Sequence, residues 1–480
     1  MMLGFVATPL LLRWLGAERF GSFRVLSEWL GNLTMLEFGL TGSILALLAP
    51  AVARRDEQEI RGWLSAAIRS YFRVDLAIAA AGIALIVVLP RLMPPEEVSK
   101  GELRVSAVIL LFGLCLLPLS VFKGLMETEQ RGYLVNAMLV AQAGLTVAAT
   151  LGAARVGWGL VGQSAATVAS RLPALLILTV LGTRQFRRFW QVKPKRENLK
   201  QLRRLNIDTF SYAMTGRLSL WCDNMMIHWG LGALAVAPFL LTQRLAIIVR
   251  SLLGTVGTST WAGLIELRSH GQMDLFRRRF IELNRMVSAL GLIVLGTIAA
   301  YNFHFTSRWV GGENFAGEGV SLLACLTTWL VAIVEMWTWP ITSTGNARAV
   351  IRPAALSTGV NLVVGIAGTV TLGAIGPLLG TLVAYSSINL WAVPRVSKRL
   401  FGTSTASLWR AAFEPLRWAL PFIAFVWWVA RSHVPSGWFM LLAEMSLCGL
   451  LGLLLWWIFD LTPAGRKEWV GRMSLAFDRG

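Results

Sequence analysis

Ionisable side chains inside long apolar runs are the residues of this sequence best placed to do chemistry. Arg24, Arg217, Arg244 and Arg250 lie in or at the edge of such runs, as do Glu37, Asp223 and Glu335. At the centre of a bilayer an ionised group costs about 2.5–3.5 kcal/mol even on the lenient insertion scale, so each must face a wet cavity or a partner. A guanidinium stays charged, and its planar fork pairs two oxygens of a phosphate or carboxylate at once. The four arginines therefore suit an anion-binding cavity. The competing reading pairs Arg24 with Glu28 one helical turn on and Arg217 with Asp223, or lets the side chain snorkel to a headgroup. A desolvated carboxylate can exchange protons near neutral pH. Glu37, Asp223 and Glu335 are thus candidates for coupling to protons or sodium, against a fixed ion pair or a helix-packing hydrogen bond.

The elements that must position these groups are membrane spans. The 480 residues are 55% hydrophobic and 15% charged, with a mean hydropathy of +0.60. A soluble chain carries about a quarter charged residues. The apolar runs are 1–12, 25–49, 74–92, 104–122, 133–154, 158–181, 207–230, 233–259, 284–304, 319–343, 353–372, 376–394, 411–430 and 437–459. Most are near the length of about 20 residues that a spanning helix needs, and they lack the alternation of barrel strands. The run 1–12 is too short to cross, and the first helix is read as truncated. The formal charge of +19 is not a nucleic-acid signal here. If the loop after the second run is cytoplasmic, roughly 32 of the 45 Lys and Arg fall on that side, the bias that sets orientation in a membrane. With fourteen spans both termini are then cytoplasmic. Cys115, Cys222, Cys325 and Cys448 stand singly, and the four histidines are scattered, so neither disulfides nor a metal site is expected. Gly157-x-Gly159-x-x-Gly162 matches the dinucleotide fingerprint, but no strand precedes it.

The halves answer each other at an offset near 216. Val156-Gly157-Trp158-Gly159 aligns with Leu372-Gly373-Ala374-Ile375, Gly162 with Gly380, and Arg91 with Arg308. A duplicated six-helix unit predicts two parallel repeats around a central cavity, with two helices appended. The expected organisation is an N-terminal repeat over 1–182, a basic cytoplasmic linker over 183–206, a second repeat over 207–398, and a helix pair with a cytoplasmic tail over 399–480. Trp221, Trp329, Trp337 and Trp339 lie deep in the spans, where an indole either stacks on a sugar ring or simply packs.

Arg13-Trp14-Leu15-Gly16-Ala17-Glu18-Arg19-Phe20-Gly21, between two apolar helices, resembles the opening of the polysaccharide-exporting flippases. That superfamily also holds the multidrug and toxin extrusion (MATE) transporters and the lipid II flippases. Leu36-Glu37-Phe38-Gly39-Leu40 resembles its acidic-x-Gly-Leu motif, and Cys222-Asp223-Asn224-Met225-Met226-Ile227 the start of its second half. The resemblance implies an all-α, MATE-like protein of the bacterial inner membrane with about 14 transmembrane helices. It implies a transporter, not an enzyme, that flips an isoprenoid-pyrophosphate-linked oligosaccharide of O-antigen, capsule or exopolysaccharide. Arg24, Arg217, Arg244 and Arg250 would then hold the pyrophosphate, and Glu37, Asp223 and Glu335 would couple to an ion. No cofactor is implied. The partners are membrane lipid and the lipid-linked oligosaccharide, with a polymerase and glycosyltransferases as further candidates, and no nucleic acid. The alternatives are a cation-coupled multidrug antiporter of the same superfamily, which would want an acidic cavity, and a membrane polysaccharide polymerase or ligase.

Overall fold

A computed structural model describes residues 2–37, 40, 48, 51–52, 56–92, 98–129, 131–185, 192, 222–344, 346–461 and 466. Among these residues every regular element is helical. In the first half the helices are α1 (Met2–Leu15), α2 (Ala17–Asn32), α3 (Glu57–Leu92), α4 (Lys100–Leu114), α5 (Val121–Thr128), α6 (Gly132–Arg155), α7 (Gly159–Ala169) and α8 (Leu172–Gln185). The second half holds α9 (Asp223–Leu231), α10 (Ala233–Ser269), α11 (Met273–Val310), α12 (Glu318–Ser343), α13 (Arg348–Leu372), α14 (Gly376–Ala384) and α15 (Leu390–Phe401). Then come α16 (Thr405–Phe413), α17 (Leu416–Ser432) and α18 (Trp438–Leu455). Nine segments among the described residues are long and apolar enough to cross a bilayer. One of them, Arg348–Phe401, is 54 residues long and is broken by the turn at Gly373–Ile375.

Helix boundaries carry the duplication more sharply than the residues do. The starts of α2 and α10 (Ala17, Ala233), α3 and α11 (Glu57, Met273), and α6 and α13 (Gly132, Arg348) each lie 216 positions apart. So do two glycine turns: Gly16 and Gly232 have φ of 82° and 89°, and Gly157 and Gly373 have φ of 80° and 69°. These left-handed conformations strain any residue with a Cβ, so glycine is what lets the chain leave one helix and enter the next at once.

Several helices outrun their apolar stretches. The helix predicted from 74 begins at Glu57, and at 36 residues α3 is about 54 Å long, against a hydrocarbon core of about 30 Å. Hydropathy sees only the lipid-facing length, marked by exposed Phe72, Leu76, Ile83 and Val87. The second run likewise starts at Ala17 rather than 25, because the polar stretch around Glu18 and Arg19 is already helical.

The chain divides into two compact units, 1–237 and 238–480. In the first, Trp63, Leu64, Tyr71, Phe122, Leu125 and Met126 form a buried apolar cluster. α9 and the first residues of α10 belong to this unit because they pack on α2. A Cβ on Gly21 would lie 2.7 Å from the Ala233 carbonyl, so only glycine admits that approach. Trp29 meets Trp229 edge-on at 5.9 Å. In the second unit α17 and α18 pack on α11 through Ile293, Tyr301, Phe422, Val426 and Leu441. Polar contacts hold this pair as well: Arg285 bonds Asp460 at 3.0 Å, and Arg308 donates to the Pro435 carbonyl. α13 and α14 form a tight antiparallel hairpin, with Gly376 against Gly368 and Thr369 and Gly380 against Asn361 and Gly365.

Candidate functional site

In the first unit the intramembrane polar groups collect on α2, on the turn after it and on α3. Glu28 takes hydrogen bonds from the Asn224 amide on both carboxylate oxygens, each at 2.7 Å. Arg24, half-buried and one turn back on α2, lies within electrostatic reach of the same carboxylate. Glu37 accepts a hydrogen bond of 2.8 Å from the Tyr71 hydroxyl of α3. Asp75, one turn on from Tyr71, is buried and within electrostatic reach of Glu37, and its Oδ1 has no hydrogen-bond partner among the described residues. Two carboxylates and a phenol thus share one region of the first unit, a chemistry able to hold a proton or a small cation. Asp223 is the first residue of α9, half-buried, and it is its neighbour Asn224 that reaches Glu28.

In the second unit Arg250 of α10 bonds Glu335 of α12 at 2.5 Å, with each side chain about 30% exposed (29% and 31%). The structure therefore brings together a predicted anion ligand and a predicted coupling acid. Taking both charges out of water is costly, and the pair holds because each ion neutralises the other. Arg244 is half-buried on the same helix. Six residues at about 100° each set it roughly 120° around α10 from Arg250, so the two guanidinium groups leave the helix on different faces. Arg217 lies outside the described residues. Trp329 and Trp337 are buried, and the Trp329 indole donates to Ser288 at 3.2 Å, so both pack rather than offer a face to a sugar. Among the described residues no group of three or more His, Cys, Asp or Glu could hold a metal.

Sequence reasoning passed over Asp75, although an acid at the second position of an apolar run was a readable signal. It also passed over Glu102. Ser99-x-x-Glu102 is a helix-start pattern, and Ser99 does accept from the Glu102 amide at 3.0 Å. The Glu102 carboxylate goes elsewhere: it accepts from the Leu160 amide at 2.7 Å and lies 3.8 Å from Arg19. Nothing local in the sequence announces a contact across that distance along the chain.

The profile of the family described as polysaccharide biosynthesis protein matches residues 1–262, more than half of the chain. The chain belongs to that family. Solved structures extend the likeness to nearly the whole chain. It superposes on a lipid II flippase, MurJ, in an inward closed conformation with a TM-score of 0.72 at 11% identity, covering 95% of this chain and 96% of that one. A multidrug resistance MATE family transporter in its inward-facing conformation gives a TM-score of 0.59 at 16% identity, over 82% of this chain and 94% of that one. A transporter of the same superfamily from Pyrococcus furiosus, described as having a binding pocket of reverse polarity, gives 0.60 at 16% identity, over 83% and 93%. None of the curated proteins matches the chain. The fold is that of MATE-like membrane transporters, and these neighbours are transporters and a flippase, not enzymes.

Proposed function

We propose that the chain moves an isoprenoid-pyrophosphate-linked oligosaccharide outward across the bacterial inner membrane by alternating access, with both termini in the cytoplasm. The observation that carries the reading is the polysaccharide biosynthesis family on a chain whose fold, over nearly its full length, is shared with a lipid II flippase. The physics of the task fits the residues. A sugar headgroup cannot cross hydrocarbon unsolvated. A pyrophosphate needs cations, and the candidates within the spans are Arg24, Arg217, Arg244 and Arg250, the last two on different faces of α10. Arg250 carries its five N–H donors in a planar fork, so an arriving phosphate can share or displace the Glu335 carboxylate. A membrane potential negative inside favours outward movement of a dianion by about 4–5 kcal/mol per 100 mV.

Glu37 with Asp75 and Tyr71 is the coupling site in this reading; Asp223 and Glu335 are the other candidate acids. The same acidic group favours a second reading, a cation-coupled multidrug antiporter. Deleting the gene separates the two. The flippase reading expects loss of surface polysaccharide with build-up of lipid-linked oligosaccharide on the inner leaflet. The antiporter reading expects drug sensitivity with polysaccharide intact. Arg250→Gln and Arg244→Gln then test the arginines: full export by both variants in the deletion strain would remove them from the substrate path.

A further inference from the structure

A cleft of about 330 Å³ opens in the first unit where the turns after α1 and α6 meet the start of α4. It is bordered by Trp14, Arg19, Glu102, Gly157, Trp158 and Gly159. From these residues the geometry points to a saccharide-binding site, one that takes a neutral sugar ring of the exported glycan at the non-cytoplasmic mouth of the protein. This rests on the flippase reading for the identity of the glycan and for which side the cleft faces.

Three features select that ligand. Two indoles border the cleft and stay open to it, Trp14 at 39% and Trp158 at 65% exposure, and an aromatic face is the surface on which the C–H side of a pyranose packs. The polar groups are of both kinds. The Arg19 Nε faces Glu102 Oε1 at 3.8 Å but makes no hydrogen bond among the described residues, and none of these residues donates to the second Glu102 oxygen. A hydroxyl both donates and accepts, so a sugar satisfies both groups, whereas a phosphate would meet the Glu102 carboxylate. The volume is at the small end of ligand sites, suited to a single ring with its waters.

The other repeat supplies the control. The positions 216 further on are Gly230 for Trp14, Ala235 for Arg19 and Ala374 for Trp158. The turn at Gly373 forms with no indole at either counterpart position, so the fold does not require Trp14 and Trp158. The cleft is also built rather than incidental. Gly159, at φ 55°, is the position where a Cβ would lie 2.3 Å from the Glu102 carboxylate, and that carboxylate is held by the Leu160 amide.

The test is complementation of a deletion strain, read as surface polysaccharide per unit of protein in the membrane. The Trp14→Ala/Trp158→Ala pair and Arg19→Gln each lower export at least about fivefold, and Trp14→Phe/Trp158→Phe restores most of it because a ring remains. Should the alanine pair fail to accumulate, Trp158→Ala alone and Arg19→Gln are read in its place, both being changes at exposed or half-exposed side chains. The direct measurement is saturation-transfer NMR on the purified protein. Its probe is the oligosaccharide released by mild acid from the lipid fraction of the deletion strain. Ring protons of one sugar receive saturation from wild type and fall to the protein-free level with Trp158→Ala. Undiminished export by the variants, or equal transfer to all of them, overturns the cleft. A deletion strain with normal polysaccharide overturns the flippase reading instead.

Discussion

Glu102 and Glu318 stand at the same place in the two repeats, in the first turns of α4 and α12 and 216 positions apart, yet their carboxylates answer different needs. Glu102 turns inward to the glycine turn of its own repeat, where it holds the Leu160 amide and faces Arg19. In the second repeat the counterpart of Gly159 is Ile375, whose side chain packs against Gly319, next to Glu318. Glu318 instead bonds Arg431 of α17, with both side chains more than half exposed. One repeat thus uses its acid to build a polar cleft, and the other to fasten the appended helices. A duplicated backbone tolerates this because the turn itself is made by Gly157 and Gly373; the acid is left over for other use.

The comparison can be broken most severely at the glycines. In Gly376→Ala the new Cβ would sit 2.0 Å from the Thr369 backbone nitrogen, and backbone cannot step aside. We expect a loss of about 3 kcal/mol or more, the upper end for overpacking, seen as little monodisperse protein by size-exclusion. Gly162→Ala brings its Cβ to 2.4 Å from the Trp158 Cβ, one bond removed from the backbone, where Gly376→Ala meets backbone atoms themselves, and should be the milder of two costly changes. Equal damage in both would show that the two hairpins are packed alike.

Next is the inner tie of the appended pair. The Asp460 side chain is only 2% exposed and bonds Arg285, and Glu414 reaches the same guanidinium at 3.4 Å. Asp460→Ala leaves that arginine short of a partner and should cost about 3 kcal/mol by the rule for half-broken buried pairs. A fall in thermal midpoint of several degrees in detergent checks it. Glu102→Ala removes a capping acceptor and should cost about 1–2 kcal/mol, with the α7 start as the first segment to gain amide exchange. Glu318→Gln affects an exposed pair and should change stability by less than about 1 kcal/mol. If Glu318→Gln proves as costly as Glu102→Ala, the contrast between the two acids fails.

Much of the fold could be read without coordinates. Lipid demands long apolar helices, so the runs stood out, and the basic loops stood out with them. The 216-residue offset rested on scattered glycines, and the structure places helix starts and φ-positive turns on the same spacing. Span edges were less legible because helices such as α3 and α11 continue into polar sequence where hydropathy has nothing to register. The candidate site was half legible. An ionisable group at lipid depth announces that it needs company but not whose. Arg250 finds Glu335, 85 positions away, and Glu28 finds Asn224 rather than settling its charge with Arg24 alone. Asp75 is legible as an acid in an apolar run, but that Glu37 is its neighbour is not.

What composition and periodicity determined by themselves was the solvent, the secondary structure and the duplication, since each is written in local hydrophobicity or in spacing along one chain. What tertiary structure alone decided was the pairing of charges and the fate of each tryptophan. A buried indole at Trp337 and an exposed one at Trp158 are the same residue in similar apolar surroundings, and only the neighbours that folding brings up distinguish them. Hydrogen bonds and ring contacts act over a few ångströms, and which groups come within that range depends on how distant helices pack.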